Sequence, residues 1–366
     1  MAAASPSNCP FLAGGMLTER MFFVGREDEI RFIIQNMTNA QPTSVNIVGD
    51  RKIGKSSLLY HIYQTYEGRV PAYGRQPQDF VVVYLSLKSA NCRKPEDFYR
   101  AVAQEFLNRG SVQANPDLSQ PLQVTPFDVH SFSQAMGKWK QAKVLPVICL
   151  DDFEELLEAN SPFDDPFYDN LRSLENLSQL MLVIASRKKL QDCMNQQSRL
   201  TSGFFNVSQT WTLQGLSTAQ VWDLVRLPGS SNPALSEEKQ NLAIQWGEGR
   251  PYNLQLAGKY LWEAQTHNHS DEWAQRRFEE DAPQVPKSRN YGRMIFMAIG
   301  RIGRWGQKLG DTADDWGNFL KGMITIVTFS LLLVGVVKWN DFANFMQQSL
   351  NEILDNAQTK EEDNKE

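Results

Sequence analysis

With 366 residues, the chain has room for about two domains and a tail. A formal net charge of −5 gives no basic field to attract nucleic acid, so a nucleic-acid partner is not expected. Four cysteines (Cys9, Cys92, Cys149 and Cys193) share no C-x-x-C spacing, which excludes a disulfide framework and a zinc site as organising devices.

Residues 1–20 are small and Pro-containing and read as a loose lead-in, with no basic start of the kind a secretory signal needs. Apolar periodicity from Glu27 to Met37 predicts a helix, and Val45-Asn46-Ile47-Val48 predicts a strand. There follows Gly49-Asp50-Arg51-Lys52-Ile53-Gly54-Lys55-Ser56, then Ser57-Leu58-Leu59 and onward at helical spacing. Strand, glycine loop and helix in that order make G-x-x-x-x-G-K-S a P-loop, whose backbone N–H groups and helix end surround a polyphosphate. Lys55 is placed to reach the β- and γ-phosphates and Ser56 to hold Mg²⁺. ATP and Mg²⁺ are therefore the expected ligands. GTP is less expected, because no N-K-x-D run follows the strands.

Asp79 to Leu87 predicts a second strand and Pro95 to Asn108 a helix. Gly110 to Pro126 reads as a polar loop and Phe127 to Lys140 as another helix. Val144 to Leu150 is continuously apolar, as in a strand buried on both faces, and ends in Asp151-Asp152. Cys149 within it reads as a small buried hydrophobe. Asp151 is placed to hold Mg²⁺, and Asp152 or Glu154 to orient an attacking water. The alternative is that Asp152, Glu154 and Glu155 cap a helix over Phe153 to Leu157. A third apolar run, Leu180 to Ala185, ends in Ser186-Arg187. There Arg187 either meets the γ-phosphate or belongs to a solvated turn with Lys188 and Lys189.

Gln209 to Leu213 predicts the last strand, and Ser217 to about Thr266 reads as helical with breaks near Pro228-Gly229 and at Gly247–Gly249. His267 and His269 lack a third ligand and read as solvated.

Four stretches together resemble a STAND-type P-loop ATPase of the bacterial and archaeal AAA-like branch. They are Phe23-Val24-Gly25-Arg26-Glu27; the Arg51-Lys52-Ile53 form of the P-loop with Ser57-Leu58-Leu59; Phe204 to Ser217; and Gly247-Glu248-Gly249-Arg250-Pro251-Tyr252 to Gln255. The resemblance spans about residues 22 to 265. It implies an α/β fold with a central parallel sheet, an extra strand between the P-loop and acidic strands, and a helical lid. It places Val24, Gly25 and Arg26 on the adenine side, Ser57 in the nucleotide site, and Pro251 and Tyr252 in the lid. No repeat array or winged-helix sensor follows the lid.

Near the C-terminus, Gly322 to Val337 carries no charge, and with Phe319, Leu320, Trp339 and snorkelling Lys321 and Lys338 it reads as a transmembrane helix over 319–339. A buried core helix is the alternative. Arg293, Arg301, Arg304 and Lys308, interleaved with apolar residues, suit an anionic headgroup layer, while the tail after the span is acidic. The expected orientation is single-pass, with the ATPase domain cytoplasmic and the tail on the opposite side of the lipid bilayer. The organisation is then a lead-in (1–20), a P-loop core (21–216), a lid (217–282), a basic linker (283–318), the span and an acidic tail (340–366). A membrane-anchored ATP switch fits best, with a homo-oligomer and an unidentified protein partner left open. Its rivals are a membrane scaffold with little turnover and a DNA-acting initiator-like ATPase.

Overall fold

Five strands carry the apolar runs: β1 (Val45–Val48), β2 (Phe80–Ser86), β3 (Leu145–Asp151), β4 (Met181–Ser186) and β5 (Gln209–Thr212). The computed structural model describes residues 9–283 apart from 89–91, 159–160, 196–199, 207 and 228–232. Its strands form one parallel sheet in the order β2-β3-β4-β1-β5. The β4 strand thus lies between the P-loop strand and the acidic strand, as the sequence led us to expect. Parallel strands need both faces covered, and β1, β3 and β4 are buried along their whole length. Only the edge strand β5 is mainly exposed.

Side-chain alternation divides the strand residues between two apolar layers. Phe80, Val82, Val45, Ile47, Val147, Cys149, Met181 and Val183 face α1 (Glu27–Thr38) and α2 (Lys55–Arg69). Val81, Val83, Leu85, Ile148, Leu150, Leu182 and Ile184 face the other layer. That layer contains α3 (Pro95–Leu107), the short α4 (Gly110–Gln113) and α5 (Pro116–Ser119), α6 (Val129–Gln141), α7 (Asp165–Asn176) and α8 (Leu190–Asn195). Trp139, Phe98, Phe106 and Phe132 are fully buried there, and each such side chain contributes roughly 1.5–3 kcal/mol of apolar transfer.

Three local expectations change. Residues 110–122 of the segment 110–126 are helical turns rather than polar loop: Val112, Leu118, Pro121 and Leu122 are buried, and Leu118 O accepts from the Trp139 indole at 3.0 Å. Those turns are too short for a helical period to register. The Phe153–Leu157 helix is a 3₁₀ turn. Helix α7 was not expected, although Asp164 caps it, Pro166 opens it, and Phe167, Tyr168, Leu171 and Leu174 bury one face.

The segment expected as a lid holds α9 (Thr218–Arg226), α10 (Glu237–Gly247), α11 (Pro251–His267) and α12 (Asp271–Asp281), packed around their own apolar cluster. Phe11 belongs to that cluster at 4% exposure, and Leu12 N donates to Gln255 Oε1 at 2.8 Å. Residues 9–17, read as part of a loose lead-in, are therefore docked. The Phe11 ring against Gly258 holds them to the lid helices.

Among the described residues, no helix is long and apolar enough to cross a membrane, and no group of His, Cys, Asp and Glu is arranged to hold a metal on its own. The expected basic linker, span and tail (284–366) lie outside the described residues.

Away from the P-loop, Glu175 of α7 is buried with Oε2 unpartnered, and burial pushes its carboxyl up to about 7 against the lowering effect of the Ser44 hydroxyl. The folded chain thus keeps a proton that the unfolded chain releases near pH 4.5, so this contribution to stability is present below pH 4.5 and is lost as pH rises through about 7. Glu175→Gln should remove that loss. Relative to the parent, the variant should gain up to about 3 kcal/mol across the window, read by urea unfolding at stepped pH.

Candidate functional site

The site is built from the strand ends. Parallel register brings Val48 of β1 level with Ser186 of β4 and Thr212 of β5, and Ser86 of β2 level with Asp151 of β3. The P-loop leaves β1 at that edge, and Gly49 N donates to Ser186 O at 3.1 Å. A Cβ at Gly49 would lie 2.9 Å from Ile53 Cγ2, so the loop closes on itself only with glycine there. Gly54 has φ +103°, a left-handed conformation that a side chain resists. Buried Ile53 plugs the loop into the core beneath it.

Helix α2 then starts with no side-chain cap and no acidic residue in its first turn, whereas α6, α7, α9, α10 and α12 are each capped by a Ser or Asp side chain. Its free N–H groups and positive end suit an anion, which fits a nucleotide phosphate. Lys55 Nζ donates to Gly49 O at 2.8 Å and Asp50 O at 3.0 Å. Burial lowers the Lys55 ammonium below its usual range, opposed by attraction first to Glu154, then to Asp151 and Asp152, while Arg187 adds repulsion. Five charged residues from three strand ends thus act on one another.

The acidic residues differ in their engagements. Asp151 is 3% exposed; its Oδ2 accepts from the Tyr84 hydroxyl at 2.7 Å and its Oδ1 from Asp152 N at 3.0 Å. Asp152 sits at φ 55° and pairs with Lys88 Nζ at 2.9 Å. Glu154 Oε1 accepts the backbone N–H of Arg187, whose side chain is exposed.

One residue that the sequence reading passed over organises this edge. Asn46, fully buried in β1, donates to Ser186 Oγ at 2.8 Å and Ile184 O at 3.2 Å, and its Oδ1 accepts from Leu190 N at 3.3 Å. Ser186 Oγ in turn donates to Lys188 O at 2.6 Å. The signal was an amide inside an otherwise apolar strand, which is costly unless all its bonds are made.

On the lid side, Val24 packs against the lid cluster and Gly25 lies against Gln220 of α9. Arg26, 4% exposed, donates to Glu29 at 3.0 Å and to Ile53 O at 3.1 Å. Its guanidinium therefore braces the P-loop from beneath. Phe23 stacks on His61 of α2 at 4.0 Å. Pro251 Cγ is 4.0 Å from where a Gly54 Cβ would stand, and Lys52 Nζ lies 3.6 Å over the Tyr252 ring. Arg250, quoted only within the lid motif, pairs with Asp50 at 2.5 Å. Arg51 is exposed, and Ser57 Oγ accepts from Leu17 N at 3.0 Å, tying α2 to the docked N-terminal segment. The geometry thus gathers Lys55, Asp151, Asp152, Glu154 and Arg187 at the strand ends and sets Asp50, Lys52, Pro251 and Tyr252 against one another at the lid.

The family model described as Novel STAND NTPase 1 (nSTAND1) matches residues 17–277, which include every residue of this site. The chain belongs to the nSTAND1 family. Its resemblance to STAND ATPases therefore holds at the level of family, and with it a nucleotide-binding, ATPase-type function. No curated protein matches the chain. Among solved structures, the Walker-type ATPase PABY2304 of Pyrococcus abyssi is similar at TM-score 0.50 and 13% identity, over 80% of this chain and 79% of that one. ORC2 of Aeropyrum pernix, in its ADPNP and ADP complexes, is similar at TM-score 0.50 and 12% identity, over 92% and 90%. ORC1 of A. pernix in complex with DNA gives TM-score 0.45 and 14% identity, over 70% of this chain and 65% of that chain, less than two thirds of its length. At these identities PABY2304 and ORC2 bear on the fold alone, and the fold they share with this nSTAND1 chain is the P-loop ATPase sheet.

Because the Asn46 side chain bonds three polar groups, Ile184 O, Ser186 Oγ and Leu190 N, Asn46→Ala should leave them short of partners. We expect about 2 kcal/mol less stability in urea unfolding, with the family fold retained in far-UV circular dichroism.

Proposed function

We propose that this chain is an Mg²⁺-dependent, ATP-binding molecular switch of the STAND type that works at a membrane surface. One observation carries the nucleotide part. The uncapped start of α2, Lys55 and the carboxylates after β3 meet at one sheet edge, with the start of α11 set against the same loop.

In this reading the loop N–H groups and the first turn of α2 hold the phosphates. Lys55 exchanges the Gly49 and Asp50 carbonyls for β- and γ-phosphate oxygens. Ser56 and Asp151 hold Mg²⁺, which neutralises phosphate charge when bound. Between the two candidate bases we favour Glu154: Asp152 is committed to Lys88, while Glu154 exerts the strongest pull on Lys55. Glu154 also accepts the N–H of Arg187, so a γ-phosphate drawing Arg187 would shift the carboxylate that orients water. The Asp50–Arg250 and Lys52–Tyr252 contacts supply the link through which the occupied loop moves the lid.

The slow-turnover scaffold remains the second reading, favoured by the engagement of both candidate carboxylates within the chain. The DNA-acting reading lacks such support, since the overall charge of −5 runs against it.

Lys55→Ala should weaken ATP binding by about 100-fold or more in calorimetry with little change in fold. Glu154→Gln should bind ATP normally and lose about 10²-fold in single-turnover hydrolysis, while Asp152→Asn should lose much less. Unchanged ATP affinity in Lys55→Ala overturns the nucleotide reading. A parent with no turnover above solvent selects the scaffold.

Membrane attachment rests on the uncharged run at 322–337, within the span expected over 319–339, and its basic approach. The full chain should stay with membranes through a high-salt wash, because hydrophobic insertion is not screened, and Leu332→Arg should release part of it. A protease outside sealed cells should reach the acidic tail and spare the ATPase domain. Recovery of the parent in the soluble fraction removes the membrane from the proposal.

A further inference from the structure

Asp151 is gripped from the neighbouring edge strand. Tyr84, whose hydroxyl meets Asp151 Oδ2 at 2.7 Å, lies on β2, the edge strand furthest from β5. Ser86 is in register with Asp151 and Tyr84 with Cys149. With a period of two, Tyr84 therefore shares a sheet face with Asp151, and it reaches forward along that face to the carboxylate.

The same face carries α2. There the Tyr84 ring meets Tyr60 edge-on, with centroids 5.3 Å apart and planes at 85°. Tyr60 stands four residues after Ser56, one turn further along the same side of α2. Tyr84 is thus wedged between the helix that carries Ser56 and the strand that carries Asp151.

We propose that Tyr84 is a positioning residue for the Mg²⁺ site, its hydroxyl fixing the orientation of the Asp151 carboxylate and its ring fixing the spacing between Asp151 and Ser56. The inference rests on the reading of Ser56 and Asp151 as the metal-holding pair. A carboxylate can turn about its terminal torsion. With Oδ1 bonded to Asp152 N and Oδ2 to the Tyr84 hydroxyl, this one is held at both ends. Each oxygen keeps a further lone pair for a metal ion or the waters around it. As a phenol, the Tyr84 side chain donates to the carboxylate. The pairing is charge-assisted, the stronger class of hydrogen bond.

The test measures ATP affinity of the full-length protein in mild detergent, once with excess Mg²⁺ and once with EDTA, for the parent, Tyr84→Phe and Tyr60→Phe. Tyr84→Phe keeps the ring against Tyr60 and removes only the hydroxyl. We expect the Mg²⁺-dependent gain in affinity to fall about tenfold in Tyr84→Phe, with the affinity in EDTA unchanged. Tyr60→Phe, which keeps its ring and has no bond to Asp151, should match the parent in both conditions. Mn²⁺ titration of the nucleotide-loaded protein, followed by electron paramagnetic resonance, should show the same selective weakening in Tyr84→Phe. A full Mg²⁺ gain in Tyr84→Phe, or equal weakening with and without metal, overturns the proposal and leaves the nucleotide reading standing. A parent that binds no ATP overturns both.

Discussion

The site depends first on the parallel ladder β3–β4–β1. Strands of different origin in the chain finish at one edge, and their ends deliver the P-loop, the Asp151 carboxylate and Ser186 to a common place. Parallel pairing requires long crossovers, so each strand end leads outward into a loop or helix start that can face a ligand. The requirement that both sheet faces be covered makes β1, β3 and β4 almost wholly apolar. Asp151 and Ser186 close their strands, while Asn46 is a polar residue within one, and its position explains it. It reaches β4 and the segment beyond, holding the end of β4 beside the P-loop.

Charge is arranged around Lys55 with opposing effects. Burial disfavours its ammonium, and the carboxylates after β3 restore it, so the cation is held in partial desolvation beside acceptors that it can exchange. The carboxylates do not stand free. Asp151 is bonded to Tyr84 and Asp152 N, Asp152 to Lys88, and Glu154 to Arg187 N. Such engagement is the means by which a preorganised site keeps side chains from wandering among rotamers. The lid adds two contacts of modest strength, because Asp50 is 62% exposed and an exposed ion pair contributes only a few tenths of a kcal/mol to about 1 kcal/mol.

The N-terminal segment shows how a short run acquires structure from its surroundings. Phe11 inserts beside Gly258, where α11 has no side chain of its own, while its neighbour Leu12 stays exposed. Leu17 N then meets Ser57 Oγ on the P-loop helix. Nothing periodic precedes either contact, so neither could be read from pattern.

The amino-acid sequence by itself determined the strands, the glycine loop, the lysine and serine after it and the acidic pair after β3. It could do so because each is a local pattern: continuous apolarity for a doubly covered strand, glycine where backbone must fold closely, carboxylates directly after an apolar run. Tertiary structure alone decided which carboxylate acts most strongly on Lys55, that Arg26 braces Ile53, that Tyr84 reaches Asp151 and that Arg250 meets Asp50 across 200 residues of chain. These pairings depend on strand order and crossover packing, and one-dimensional spacing carries no distance between residues on different strands.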